Sequence, residues 1–153
     1  MQDSLSHIDS LSTQELFKTA LSANMSVIAG TAIVGAFFYQ EAGSQLAFWI
    51  ISMLIITSSR IIISKYYFID QADNFKKFSQ KYWRNIYIAT SLITGTLWGT
   101  LIFFISTDAS PIIISMFYII LASVMAGSIT VLTVVLPAFY AYTTPVFLAI
   151  FTF

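Results

Sequence analysis

Charge almost disappears from two long tracts of the chain. Between Lys18 and Arg60 the one charged residue is Glu41, and between Arg84 and Phe153 it is Asp108. A bilayer core about 30 Å thick is crossed by a helix of about 20 mostly apolar residues. Each tract therefore has room for at least two crossings. Inside them, apolar residues occupy consecutive positions, as in Ile61-Ile62-Ile63 and Ile112-Ile113-Ile114. A membrane barrel would instead alternate apolar and polar residues over segments of about ten. The expected fold class is all-α: a polytopic transmembrane helical bundle of about five hydrophobic segments.

The expected spans are residues 20–39, 46–63, 87–106, 112–135 and 138–153, after an amino-terminal segment at 1–19. Gln40-Glu41-Ala42-Gly43-Ser44-Gln45 reads as a short polar turn, and 64–86 as a charged loop. Thr107-Asp108-Ala109-Ser110-Pro111 reads as a second turn, with a helix-starting proline. Ser12 with Glu15 makes a capping-box pattern, flanked by Leu11 and Leu16 at staple positions. A helix is thus expected to start near Thr13, with residues 1–11 mobile. The first apolar segment is too long for a signal peptide and lacks a basic flank. Leu136-Pro137 breaks the fourth span from the fifth. The fifth is about 24 Å of helix at ~1.5 Å per residue, short of a full crossing. No charged or polar anchor follows it, so the chain is expected to be a fragment or truncated form of something longer.

Basic residues set the orientation. Lys18, Lys65, Lys76, Lys77, Lys81 and Arg84 all face the cytoplasm if the amino terminus does, and Arg60 snorkels to the same side. The two outer turns hold no Lys or Arg. Trp49 and Trp83 fall near span ends, as do several tyrosines, where amphipathic rings sit at headgroup depth. Trp49, Trp83, Arg60 and Arg84 are accordingly the expected membrane-interface anchors. The stretch from Phe75 to Arg84 interleaves aromatic and basic residues and reads as an amphipathic helix on the inner leaflet.

Composition narrows the chemistry. Of 153 residues 58% are hydrophobic and 9% charged, against about 25% charged in soluble domains. Seven basic residues balance seven acidic ones, leaving no excess to neutralise a nucleic acid. Cysteine is absent and the one histidine, His7, precedes the apolar region. No catalytic residue, metal ligand or cofactor-binding residue is assigned, and the expected cofactor complement is none. Glu41 and Asp108 in the outer turns are expected to be simply solvated. No ionisable residue is expected near the bilayer centre, which weighs against transport.

Ser91, Gly95 and Gly99 share one face of the third span and are the helix-packing candidates. They form either a dimer seam or a seam within one bundle. The second is favoured, because a multi-span chain packs its own helices first. Ser26/Gly30 and Ala122/Ala126 offer similar small faces. Thr90, Ser91, Thr94, Thr96 and Thr100 either line a polar cavity or bond back to the preceding turn, the commoner arrangement. Pro137 and Pro145 bracket the fifth segment, as kinks or as static packing devices.

The order of these features resembles a known arrangement. Arg60 is followed by a basic stretch ending Lys81-Tyr82-Trp83-Arg84, then by Gly95-Thr96-Leu97-Trp98-Gly99, Pro111, Ala126-Gly127 and the Pro137/Pro145 pair. From about residue 20 onward the chain is similar to the multi-span amino-terminal sensor region of bacterial hybrid histidine kinases and GGDEF-type diguanylate cyclases. That resemblance implies a sensory and anchoring region of an inner-membrane signal-transduction protein. It implies as partners the lipid bilayer, a cytoplasmic output domain in cis and a second copy in a homodimer. The chain departs from the family in ending in the fifth segment and in holding no kinase or cyclase motif. The family's enzymatic residues therefore map to no position here. The competing readings are a fragment of a small-solute transporter or channel, and a structural membrane subunit assembled through Gly95 and Gly99.

Overall fold

The computed structural model describes residues 2–72, 78–104 and 109–152. The elements are α1 (Gln2–Ala72), α2 (Gln80–Thr100) with a 3-10 turn at Leu101–Phe104, α3 (Pro111–Leu132) and α4 (Leu136–Thr152). Among the described residues there is no strand. In the hydrocarbon of a bilayer a helix satisfies its own backbone polar groups, and consecutive apolar side chains then face lipid on all sides.

Gly43 divides α1 into two arms. Its backbone sits at φ 51°, ψ −131°, outside any helical region and open in practice to glycine alone. The six-residue polar turn expected at 40–45 thus shrinks to a break at one residue. The arms fold back as a hairpin. Phe17 stacks on Tyr67 with ring centroids 4.1 Å apart, and a Cβ on Gly35 would lie 3.1 Å from Ile50 Cδ1. The first arm turns a stripe inward at Thr13, Phe17, Ala20, Asn24, Thr31, Val34 and Phe38. These positions keep the three-and-four spacing that holds one helix face against a neighbour.

Helix boundaries depart from the expected ones. α1 is already helical at Gln2, so Ser12 and Glu15 lie mid-helix instead of capping its start. Glu15 pairs with Lys18 at 2.8 Å. The second arm continues through Lys65 to Ala72, and α2 begins at Gln80, so most of the expected loop at 64–86 is helix. Ser79 caps α2 by accepting from the Tyr82 N–H. Lys81 to Arg84 therefore belong to α2 and not to a separate surface helix. Phe75, Lys76 and Lys77 lie outside the described residues, as do Thr107 and Asp108. Pro111 opens α3 as expected, with Ser110 as its cap, and the fourth and fifth segments separate between Leu132 and Leu136.

α2 and α4 run parallel and form the closest helix pair. Gly95 lies against the Tyr142 backbone, and Gly99 faces Pro145 one turn on. A Cβ at Gly99 would stand 2.8 Å from the Pro145 carbonyl oxygen, and one at Gly95 would be closer still to that of Tyr142. Missing side chains let these backbones approach. Between apolar helices in lipid, such close packing replaces water exclusion as the source of attraction.

Four helical segments are long and apolar enough to cross a membrane: Leu11–Tyr39, Gly43–Ala72, Gln80–Phe104 and Pro111–Ile129. α4 adds a shorter apolar helix, Leu136–Phe151. Phe48, Ile55, Ile119 and Leu148 point outward from mid-helix positions. An outer surface of this kind suits lipid and not water.

Candidate functional site

A cluster of side chains near the end of the hairpin fixes both arms of α1 against α2. Trp83 is buried and donates its indole N–H to Asp70 Oδ2 at 2.9 Å. Phe17, Tyr67, Trp83 and Tyr87 form one aromatic cluster, with Tyr67 stacked on Phe17 and the other rings edge-on. Such pairs add about 0.5–1.5 kcal/mol each beyond the area they bury. At the other end Trp49 is buried, packs edge-on against Trp98, and donates to the Leu97 carbonyl at 2.6 Å. Both tryptophans expected to anchor the chain in headgroups thus point into the bundle. Arg84 is half-buried in the second turn of α2.

Between these two ends lies Arg60. It falls in the middle third of the Gly43–Ala72 span and is 5% exposed. About 15 Å of helix, at ~1.5 Å per residue, separates it from Asp70. This corrects two expectations. Arg60 is packed inside the bundle instead of lying free on its surface, and an ionisable residue does fall within the length of a span. Its guanidinium carbon stands 4.8 Å from the centre of the Tyr87 ring, and Nη1 donates to Thr94 Oγ1 over 3.4 Å. Nε has no hydrogen-bond partner. Among the described side chains no carboxylate pairs with it.

Magnitudes show that this arginine is under-compensated. An arginine at a helix centre costs about 2.5–3.5 kcal/mol on insertion scales. A desolvated cation–π contact returns about 2 kcal/mol. The 3.4 Å bond to Thr94 is long for a charge-assisted one, which runs at about 2.7–2.9 Å. A full positive charge with spare donors therefore remains inside the bundle.

Arg60 forms part of the wall of a cavity of about 490 Å³. The first arm of α1 contributes Ser22, Ser26, Val27 and Gly30, and α3 contributes Ile120, Ser123, Val124 and Ser128. Trp98 from α2 and Tyr142 from α4 complete the deep side beside Arg60. Ser22, Ser26, Ile119, Ser123 and Gly127 are exposed mid-helix residues, so the cavity opens sideways between the first arm and α3. Its size falls within the range of about 300–1,000 Å³ for small-molecule sites.

The hydroxyls of the third span do not line it. Thr90, Thr94, Thr96 and Thr100 each donate to a carbonyl one turn back. Ser91 is buried in α2 with its hydroxyl unpartnered. Ser91, Gly95 and Gly99 are all buried, and the two glycines are covered by α4 of the same chain, which is the seam within one bundle. Ala122 and Ala126 are exposed, while Ser26 and Gly30 line the cavity. Sequence reasoning missed the cavity and the role of Trp98 and Tyr142 in it. Arg60 carried a usable signal: it continues the inward stripe Trp49, Met53, Thr57, Arg60, Tyr67 of the second arm.

Helices of this length and apolar character, wrapped around a mostly apolar, side-opening cavity with one buried arginine, define a multi-pass α-helical membrane protein. No protein-family model, no curated protein and no solved structure matches the chain. Among the described residues no group of His, Cys, Asp and Glu is placed to hold a metal.

Proposed function

We propose that this chain is the membrane-embedded sensory and anchoring region of a bacterial signal-transduction protein, seated in the inner membrane with its amino terminus in the cytoplasm. It acts on an output domain in cis, as one of two copies, and performs no catalysis itself. The observation that carries this reading is the unequal packing of the bundle. α2 and α4 are locked backbone to backbone, whereas the first arm of α1 and α3 meet at Phe38 and Phe117 and part around the cavity. The sensory reading assigns this pair two packings, one closed over the cavity and one open. A ligand, or the bilayer, biases the pair if it interacts differently with each.

Spin labels at S26C and S123C, on the two lips of the cavity, test this in liposomes. The sensory reading expects two label distances whose ratio shifts when the lipid composition is changed. One invariant distance in every bilayer overturns it.

Arg60 supports a second reading, a transporter or channel fragment, because a buried intramembrane charge is a common mark of a solute pathway. Movement of a small anion through the purified chain in proteoliposomes would replace the sensory reading with this one. A structural subunit joined through Gly95 and Gly99 loses its face, since α4 already covers it.

A further inference from the structure

We propose that the cavity is a binding site for an amphipathic anion, whose carboxylate or phosphate head sits on Arg60 and whose apolar body lies between the first arm of α1 and α3. The inference deepens the sensory reading and rests on it for its biological meaning, but binding is measured separately from packing.

The cavity wall holds a buried cation that no carboxylate among the described residues neutralises. Arg60 is buried, carries a full charge, and leaves Nε unpaired. Trp98, also buried, leaves its indole N–H unpaired. Tyr142 brings a phenol to the same wall. The nearby hydroxyls spend their protons on helix carbonyls, Thr94 on Thr90, Ser128 on Met125, Ser26 on Ser22 and Ser123 on Ile119, so they leave only neutral oxygens, of which that of Thr94 accepts from Arg60. A desolvated cation without an anionic partner is matched by an anionic acceptor, and the strongest such match to a guanidinium is a carboxylate or phosphate. The Tyr87 ring lies 4.8 Å from the guanidinium carbon and helps hold the group at the cavity wall.

The rest of the lining suits an apolar body. Val27, Gly30, Ile120 and Val124 give a smooth wall, and the Gly30 position lies close to the Trp98 ring: a Cβ there would be 3.3 Å from it. The exposed mouth faces the lipid side of the helices, so the ligand arrives from the bilayer and not from bulk water. A simple inorganic anion would not take that route. Two sources share this chemistry: a free long-chain carboxylate, and the phosphate of an anionic phospholipid.

Tryptophan fluorescence of the full chain in phosphatidylcholine liposomes separates them. A dibrominated long-chain carboxylate quenches on contact, with its methyl ester as the uncharged control and brominated phosphatidylglycerol as the lipid arm. We expect saturable quenching by the carboxylate, competed by its unbrominated form and not by the ester. R60Q should weaken half-saturation roughly ten-fold or more, as expected for a lost charge-assisted contact, and R60K should restore part of it. S123F, which fills the mouth from an exposed position, should abolish saturation without disturbing the core. Saturable, Arg60-dependent quenching by phosphatidylglycerol alone assigns the site to lipid phosphate. Equal quenching by acid and ester, unchanged in R60Q and S123F, overturns the proposal. If the anion binds while the S26C/S123C distances stay fixed, the site stands and the sensory reading falls.

Discussion

The Leu97 carbonyl receives two donors from outside the α-helical ladder, Thr100 Oγ1 at 2.8 Å and the Trp49 indole at 2.6 Å. It is available because the helix tightens here. The Leu101 N–H bonds to Trp98 and Gly99 carbonyls instead of reaching back four residues. Trp49 thus gives the second of two side-chain donors to a helix-end carbonyl that has lost its backbone partner. W49F keeps the ring packing and removes that donor. It should cost about 1–2 kcal/mol, the usual range for a lost buried hydrogen bond, seen as a lower melting midpoint of the purified protein in detergent. The sequence marks Trp49 as aromatic and close to a span end, but the same position serves a headgroup anchor or an inward donor. Only the helix face decides, and Trp49 shares its face with Leu46 and Met53, both buried. Arg60 illustrates the same ambiguity with a larger consequence. Ending the span at Ile63 makes it an interface residue, while a helix continuing to Ala72 makes it a buried one.

Gly95 and Gly127 allow a controlled comparison between helices. Both are helical glycines in apolar segments. A Cβ at Gly95 would overlap the α4 backbone, whereas at Gly127 it would meet nothing within 4 Å. G95A should force α2 and α4 apart and lower the melting midpoint sharply, and G127A should leave it unchanged or slightly raised through helix propensity. Gly43 tests backbone conformation in isolation, because a Cβ there also meets nothing within 4 Å. G43A should cost about 1–3 kcal/mol through φ alone, read in the same melting assay. A helical hairpin, a small-residue face on α2 and a proline-started α3 are all legible in the residue order, because each depends on neighbours in sequence. The partner of the Gly95/Gly99 face is not legible, since any small-residue stripe fits a second copy as well as a segment some 45 residues on. The capping box at Ser12 fails for a related reason: its residues fit a helix start, but helix propagation from Gln2 leaves no free end there.

For the assembled chain, the all-α bundle follows from composition and span length, and both are properties of the sequence as a whole. The cavity does not, because it is made by five separate helical segments, each contributing side chains that look ordinary alone. Threading is testable independently of function. With the amino terminus in the cytoplasm, S44C should react with a membrane-impermeant maleimide added to intact cells, and K81C only after permeabilisation. Both positions are exposed, so burial does not confuse the result, and the reverse outcome inverts the bundle. The sideways mouth between the first arm of α1 and α3 has a consequence for any affinity measured on this protein. A compound that enters from the hydrocarbon is in equilibrium with the site through its mole fraction in lipid or micelle. Adding detergent or vesicles at fixed total compound would dilute it and lower occupancy, so dose–response curves should superimpose only when plotted against the compound-to-lipid ratio.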